Sequence, residues 1–240
     1  MPAPTLSETC VVVPTYNEKD NLGVLVERLR AAAPQARIVV VDDGSPDGTG
    51  QAAEALSERF SRVQVIHRPG KGGRGSACIA GFRAALRSPE VRCVVEMDAD
   101  LSHDPAEVPA LVAALAEADV VIASRYAEGS RVVGRPWRRR ALSLLANAFA
   151  RAALGLPFRD CTYGLRAYSR AALESVDLER VPGSGFVVLV GLLHALRRKG
   201  LRVREVPSVF VDRRRGTSNL GLREMAEGLV SVLKLALRPS

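Results

Sequence analysis

Two aspartates one residue apart, Asp98 and Asp100 in Met97-Asp98-Ala99-Asp100, follow directly on the apolar run VRCVVE. Carboxylates at the C-terminal end of a strand lie at the crevice where open α/β sheets bind ligands. Two hard oxygen donors at this spacing suit Mg²⁺ or Mn²⁺, which keep waters and accept substrate phosphates as further ligands. A bare Asp-x-Asp is equally the composition of a solvated acidic turn. Other carboxylates weigh for the metal: Asp42 and Asp43 follow the run IVVV, and Glu18 follows Pro14-Thr15-Tyr16-Asn17. Unpaired carboxylates crowded on one rim repel one another unless a cation joins them. Asp42 has a simpler use, a turn with Gly44 and Ser45.

The second half supplies cations. Arg125 stands in Ser124-Arg125-Tyr126, and Arg138, Arg139 and Arg140 precede a helix carrying Ser143 and Asn147. Arg213, Arg214 and Arg215 follow Asp212. Arginine suits bidentate phosphate contact, although Arg138, Arg140 and Arg214 also read as a solvated basic face. Gly70–Gly75 satisfies G-x-G-x-x-G between a strand and a helix, the context of a dinucleotide loop. An NAD enzyme would rest on that loop alone, whereas the aspartate site accounts for more residues. The alternative is an anion-tolerant loop near the substrate, with Lys71 and Arg74 as donors. His103, three residues past Asp100, is a candidate ligand; His67 lines the glycine loop, and His194 fills a helix face. No G-x-S-x-G and no Ser/His/Asp or Cys/His arrangement is present.

These residues need a scaffold that brings strand ends together. Cys10–Pro14, Ile38–Val41, Val63–Ile66, Arg92–Met97 and Val120–Ala123 read as strands. Helices are expected after Asn17, which can cap with Asp20 three residues on, and over Ala52–Phe60, Ser76–Leu86 and Pro105–Ala116. Strands alternating with helices predict an α/β fold, a doubly wound, mainly parallel sheet with helices on both faces. Beyond residue 124 the rhythm breaks into a basic segment Arg131–Arg140, helices Leu142–Leu154, Phe186–Arg198 and Gly221–Leu237, a short strand Gly164–Tyr168 and extended chain Val203–Val211. One domain over 1–240 fits, with a nucleotide and metal half at 10–124, an acceptor half at 125–219 and an amphipathic helix at 220–237.

With 240 residues, 47% hydrophobic and 25% charged, the chain has globular composition, which excludes a disordered, collagenous or coiled-coil protein. No apolar run is long enough to cross a bilayer, and MPAPTLSETC lacks the form of a secretory signal. The cysteines Cys10, Cys78, Cys93 and Cys161 form no CxxC pair and read as reduced and structural. The first 120 residues hold 12 basic and 17 acidic side chains, the last 120 hold 22 and 9. An acidic half beside a basic half implies different partners, a cation for one and an anion for the other. Nucleic acid is the rival anion; aromatics at only 5% and the lack of a binding-fold signature argue against it.

Five segments occur in a familiar order: Pro14-Thr15-Tyr16-Asn17-Glu18, Val41–Thr49 (VDDGSPDGT), Met97–His103 (MDADLSH), Ser124-Arg125-Tyr126, and Asp212-Arg213 with Gly216 and Ser218. They resemble glycosyltransferase family 2 with its GT-A fold, and among its members the dolichol-phosphate (polyprenol-phosphate) mannose synthases, over about residues 10–235. The resemblance implies an inverting glycosyltransferase that moves mannose from GDP-mannose to a polyprenyl monophosphate with Mg²⁺ or Mn²⁺. By matching positions, Pro14, Tyr16, Glu18, Val41 and Asp43 would hold the nucleotide. Asp98 and Asp100 would hold the metal, with Ala99 in the donor site. Arg125, Arg139 and Ser143 would meet the acceptor phosphate, and Arg213 the donor phosphates or the metal site.

The chain departs from the family pattern in three places. Asn219 stands where a lysine is usual, Val188 and Gly191 stand where relatives carry Phe-x-x-Glu or Phe-x-x-Asp, and Thr162-Tyr163-Gly164-Leu165 replaces a Thr-Ser-Gly-Phe. These changes leave a polyprenyl-phosphate glucosyltransferase, another hexosyltransferase or a weakened paralogue as alternatives. A lipid acceptor implies a cytoplasmic chain associated peripherally with a membrane surface, directly or through a separate membrane protein. Leu220–Leu237, with leucines opposite Arg223, Lys234 and Arg238, suits either the membrane interface or docking on the core.

Overall fold

Short apolar runs stopped by Pro, Gly or Asp form strands that are covered on both faces. The computed structural model describes residues 3–181, 185, 187–212 and 222–237. The first half runs β1 Thr9–Thr15, α1 Lys19–Ala32, β2 Arg37–Asp42, α2 Thr49–Arg59, β3 Val63–His67, α3 Arg74–Leu86, β4 Cys93–Glu96, α4 Val108–Ala114 and β5 Val120–Ser124. There follow β6 Arg131–Val133, α5 Trp137–Leu154, β7 Arg166–Ser169, α6 Arg170–Glu174, α7 Val187–Arg198, β8 Val203–Pro207, β9 Val209–Val211 and α8 Leu222–Ala236.

The main sheet has the order β3-β2-β1-β4-β7-β5-β8. β7 lies antiparallel between β4 and β5, and every other pairing in the sheet is parallel. The predicted doubly wound, mainly parallel sheet is therefore the one observed. β6 and β9 form a separate parallel pair. The extended stretch expected over Val203–Val211 divides at Ser208, because Glu107 draws it aside. Ser208 Oγ donates to Glu107 Oε2 and Val209 N–H to Oε1, each at 2.7 Å.

Alternation along the strands divides the core. Val11, Val13, Ile38 and Val40 face Leu22, Leu25, Val26 and Leu29 of α1. Val12, Val39 and Val41 face Ala77, Cys78 and Phe82 of α3, beside Val188, Leu189 and Leu192 of α7. α3 approaches closely through Gly81, where a Cβ would strike Val12 Cγ1 and lie 3.1 Å from Val41 Cγ2. Valine on a buried strand has little rotamer freedom to yield. Gly81→Ala is expected to lower stability by about 1–3 kcal/mol, read as a drop in Tm of roughly 2–4 °C per kcal/mol.

Two helix starts differ from the sequence reading. Asn17 does not cap α1; it adopts φ 59° and Glu18 takes the cap position. The turn lets the neighbouring loop do the capping: Glu18 N–H donates to Thr49 Oγ1 at 2.9 Å and Lys19 N–H to Asp47 Oδ2 at 3.3 Å. α5 begins at Trp137, so Arg138, Arg139 and Arg140 lie in its opening turns and do not precede it. All four cysteines are buried and free. Gly191 and Val188 are buried in α7. Asn219 and Arg213–Ser218 lie outside the described residues.

Candidate active site

β1, β2 and β4 end side by side, and their last residues deliver Glu18, Asp42, Asp43, Asp98 and Asp100 to one rim, as expected. The rim is not a crowd of unpaired carboxylates, which corrects the repulsion argument for a metal. Each has donors of its own from the chain. Asp42 accepts from Ser45 Oγ at 2.5 Å, the simple turn role. Asp43, 2% exposed, takes Gly72 N–H at 3.1 Å, Gly73 N–H at 2.7 Å and the guanidinium of Arg68. Glu18 accepts from Asn21 Nδ2 at 2.7 Å.

The glycine loop therefore spends its backbone N–H groups on a carboxylate of this chain. That removes the basis of a dinucleotide cradle. Lys71 Nζ lies 4.3 Å over the Tyr16 ring. Arg74, expected as a free anion donor, turns inward: Nε donates to Asp98 Oδ1 and Nη1 to Glu96 Oε1, each at 2.7 Å. His67 bonds Glu54 through Nε2 at 2.5 Å, with Nδ1 3.9 Å from Asp42.

Beyond β4 the chain makes a tight turn. Leu101 has φ 62°, and Ser102 N–H donates to Asp100 Oδ1 at 3.0 Å. His103 folds back so that Nδ1 accepts from Asp98 N–H at 3.1 Å, which places its proton on Nε2, 3.7 Å from Asp98 Oδ2. The ring is 2% exposed and packs edge-on against Tyr163, centroids 4.7 Å apart. Burial holds its pKa below the ordinary histidine range, against the pull of Asp98 and Asp100. His103 thus braces the turn through Nδ1. Its Nδ1 is committed and offers no lone pair to a metal.

The donor set still suits a hard cation. Asp98 is 26% exposed at its side chain and Asp100 7% overall. Among the described residues no three His, Cys, Asp or Glu side chains gather around one point. A cation held here would take two carboxylates from the chain and leave its other positions to water and phosphate, as Mg²⁺ and Mn²⁺ allow. Ala99 lies between them, 2% exposed. Pro14 and Val41 are buried strand residues paired across β1 and β2. Val41 packs against α3, so only its backbone is left for a nucleotide.

The cationic side of the site comes from β5 and α5. Arg125 is 8% exposed and forms a bidentate pair with Asp160, Nε to Oδ2 and Nη2 to Oδ1 at 2.8 Å each. Nη2 also donates to Thr162 Oγ1 at 2.9 Å. Arg125 is therefore committed to a buried carboxylate, not left free for an acceptor as the motif match suggested. Asn147 ties α5 to the same loop through Thr162 Oγ1 at 3.0 Å and Cys161 N–H at 2.7 Å. Ser143 lies one turn before it, 8% exposed. Arg139 is 48% exposed and, among the described residues, meets Asp212 at 3.4 Å.

Arg135 is the residue that motif reading missed, although it lies inside the basic segment. Its guanidinium stacks 5.0 Å from the Phe210 ring, and its Nε is buried without an acceptor. Burial and the like charges of Arg125 and Arg139 lower its pKa. Arg125, Arg135 and Arg139 thus lie within electrostatic reach of one another, the first paired with Asp160 and the last with Asp212, which leaves Arg135 the one of the three with a buried N–H lacking an acceptor among the described residues. A hollow of about 430 Å³ opens nearby between Tyr126, Leu144, Asn147, Ala148, Arg151 and Arg159. A second of similar volume lies at the far end of the strands, by Cys10, Arg37 and Arg62.

Residues 10–177 match the model of glycosyl transferase family 2. The polyprenol monophosphomannose synthase of Mycolicibacterium smegmatis is 43% identical, over 96% of this chain and 87% of its own length. The undecaprenyl-phosphate mannosyltransferase of Micrococcus luteus is 40% identical, over 94% and 93%. The crystal structure of glucosyl-3-phosphoglycerate synthase from Mycobacterium tuberculosis with phosphoglyceric acid superposes with a TM-score of 0.69 at 24% identity, covering 97% of this chain and 81% of that one. That likeness establishes the GT-A-type fold. With the acidic rim, the cationic wall and relatives of this identity along nearly the whole length, the chain belongs to glycosyl transferase family 2.

Proposed function

We propose that the chain transfers mannose from GDP-mannose to a polyprenyl monophosphate. The observation that carries this is the presence of two aspartates just past β4 on one side and, on the other, arginines just past β5, just before α5 and in its first turn. One end suits a metal-bound diphosphate, the other a phosphate monoester. The relatives' names point to the same acceptor class and sugar.

Asp98 and Asp100 would hold Mg²⁺ or Mn²⁺, which supplies charge neutralisation to the leaving diphosphate. Tyr16, Glu18 and the backbone at Pro14 and Val41 line the nucleotide side. Asp43 shapes that side indirectly, by pinning the glycine loop. Ala99 presents a small surface to the sugar. Arg213 is proposed at the donor phosphates from its motif alone. Arg139 and Arg135 would bind the acceptor phosphate beside Ser143, and Arg125 would act through Asp160 and Thr162 to fix that wall.

A phosphate monoester has a second pKa near ~6 and is largely dianionic at neutral pH. Its oxygen attacks the anomeric carbon in line, the bond from that carbon to the diphosphate oxygen breaks, and GDP leaves with the electron pair. The product carries inverted, β configuration. No side chain has to take a proton from the attacking oxygen, which agrees with His103 being buried and committed.

We also assign the chain to the cytoplasmic membrane face as a peripheral protein. Among the described residues no helix is long and apolar enough to cross a bilayer. α5 and α8 pack together and leave apolar side chains in solvent: Trp137 74% exposed, Leu145 67%, Val230 50% and Leu237 83%. Basic residues Arg138 and Arg140 flank the first of these, the composition of an interfacial face. Trp137→Glu with Leu145→Glu is expected to abolish liposome binding and raise KM at least ~10-fold for a long-chain acceptor, the loss of about 1.4 kcal/mol of binding. With a short, water-soluble acceptor KM is expected to stay unchanged.

The donor is tested by offering GDP-mannose and UDP-glucose with Mn²⁺ and a short polyprenyl phosphate. Mannolipid from GDP-mannose is expected. Transfer from UDP-glucose alone would overturn the donor and leave the fold and site standing. Arg139→Ala is expected to raise acceptor KM by ~10-fold or more, since a charge-assisted phosphate contact is worth about 1.5–3 kcal/mol.

A further inference from the structure

Arg74 stands in front of the carboxylate proposed for the cation. It opens α3 at the end of the glycine loop and reaches across to β4. Besides the bonds from Nε to Asp98 and from Nη1 to Glu96, its Nη2 lies 2.6 Å from Asp98 Oδ1, buried and not aligned to donate. The side chain is only 24% exposed. Glu96 is 1% exposed and also accepts from Tyr168 Oη at 3.0 Å and Cys78 Sγ at 3.1 Å. Gly164 makes the room: a Cβ there would strike Arg74 Nη2 and lie 3.2 Å from Asp98 Oδ2. The positive charge of an arginine is permanent at any working pH.

We propose that Arg74 is the resident counter-ion of Asp98 and competes with the divalent cation for that carboxylate, so that it sets the metal concentration at which the donor diphosphate is taken up. This rests on the reading of Asp98 and Asp100 as the cation site. Arg74 acts through Asp98 and is a positioning residue. A dication arriving at Asp98 meets a guanidinium already hydrogen-bonded to the same oxygen. Like charges at that range repel strongly where water is scarce. Glu96 holds the other branch of the guanidinium, so the contact with Asp98 can be given up without leaving Arg74 unpaired. The charge of Asp98 is thus compensated with the metal absent, and Arg74 stays held by Glu96 when the metal arrives.

The test is Mn²⁺ binding to the purified full chain, with MnCl₂ alone and with GDP, read from the electron paramagnetic resonance signal of free Mn²⁺. Arg74→Met is expected to tighten Mn²⁺ binding by about tenfold, equal to ~1.4 kcal/mol. It is also expected to melt lower without metal and to gain more in Tm than the unaltered chain when Mn²⁺ is added. Because Arg74→Met strands the buried Glu96, the double variant Arg74→Met/Glu96→Gln removes both charges and carries the same expectation for affinity. Arg74→Lys restores a cation and is expected to return affinity toward that of the unaltered chain. Unchanged or weaker Mn²⁺ binding in the double variant would overturn the competition. Asp98→Ala separates the two readings. If it loses Mn²⁺ while the Arg74 variants match the unaltered chain, only the competition fails. If it binds Mn²⁺ as the unaltered chain does, the cation is not at Asp98 and both readings fail.

Discussion

Asp100→Ala is expected to lower sugar transfer by about 10³-fold while the chain stays folded. The loss follows from the cation's task. If Asp98 and Asp100 hold the cation as proposed, withdrawing one of them removes several kcal/mol of charge stabilisation from the departing diphosphate, and ~4 kcal/mol is a factor of about 10³ in rate. The structural cost is smaller. Asp100 accepts Ser102 N–H at 3.0 Å inside the turn, and losing such a bond costs about 1 kcal/mol. Transfer assays over a range of Mn²⁺ concentrations, with a thermal melt of the same preparation, separate the two effects. A variant that kept more than a tenth of the activity at saturating Mn²⁺ would remove Asp100 from the metal site.

The largest expected effect on stability lies at Arg125. Arg125→Met leaves Asp160 ionised, 0% exposed and without its bidentate partner. Breaking a buried pair from one side costs about 3–5 kcal/mol. Arg125→Met with Asp160→Asn is expected to recover most of it. The same pair predicts a pH dependence. Burial would raise the Asp160 pKa, but the hydrogen bonds and charge of Arg125 outweigh it and hold the carboxyl below the usual range. A depressed carboxylate pKa means stability that is present above the unfolded value, about 3.9, and lost as pH falls through the folded value. Thermal melts between pH 7 and pH 3 are expected to steepen below about pH 4 in the native chain and to be flatter in the double variant. A native melt that stays level down to pH 3 would show that the pair contributes nothing through ionisation.

Much of the site was legible because strands buried on both faces announce themselves as apolar runs, and their ends carry the chemistry. VVVPTYNE, VVVDDG and CVVEMDAD each place polar residues just past a run, and in the structure these lie on neighbouring strands. Partnership between distant side chains was not legible. Arg74 and Asp98, or Arg125 and Asp160, are 24 and 35 residues apart. Neither member carries a local sign of the other, so cations read as free for phosphate turn out to be paired. The glycine loop misled for a related reason: N–H groups arranged for an anion accept any carboxylate, and Asp43 is the nearest. The strand at β7 was legible as Gly164–Tyr168, but its antiparallel insertion between β4 and β5 was not, because that is a tertiary choice, made partly by Arg166. That side chain is fully buried and donates to the carbonyls of Cys161, Tyr163 and Leu189 at 2.6–2.8 Å.

The proposed transfer of mannose from GDP-mannose to a lipid phosphate has a product of defined linkage. It is tested most directly by identifying the product. The full chain, Mn²⁺, GDP-mannose and a short polyprenyl phosphate would be incubated together, and the lipid fraction examined by mass spectrometry and by NMR at the anomeric carbon. One new species is expected, polyprenyl phosphate with a single β-linked mannose on its phosphate oxygen, released together with GDP. An α-linked product, or mannose attached anywhere other than the phosphate, would contradict it.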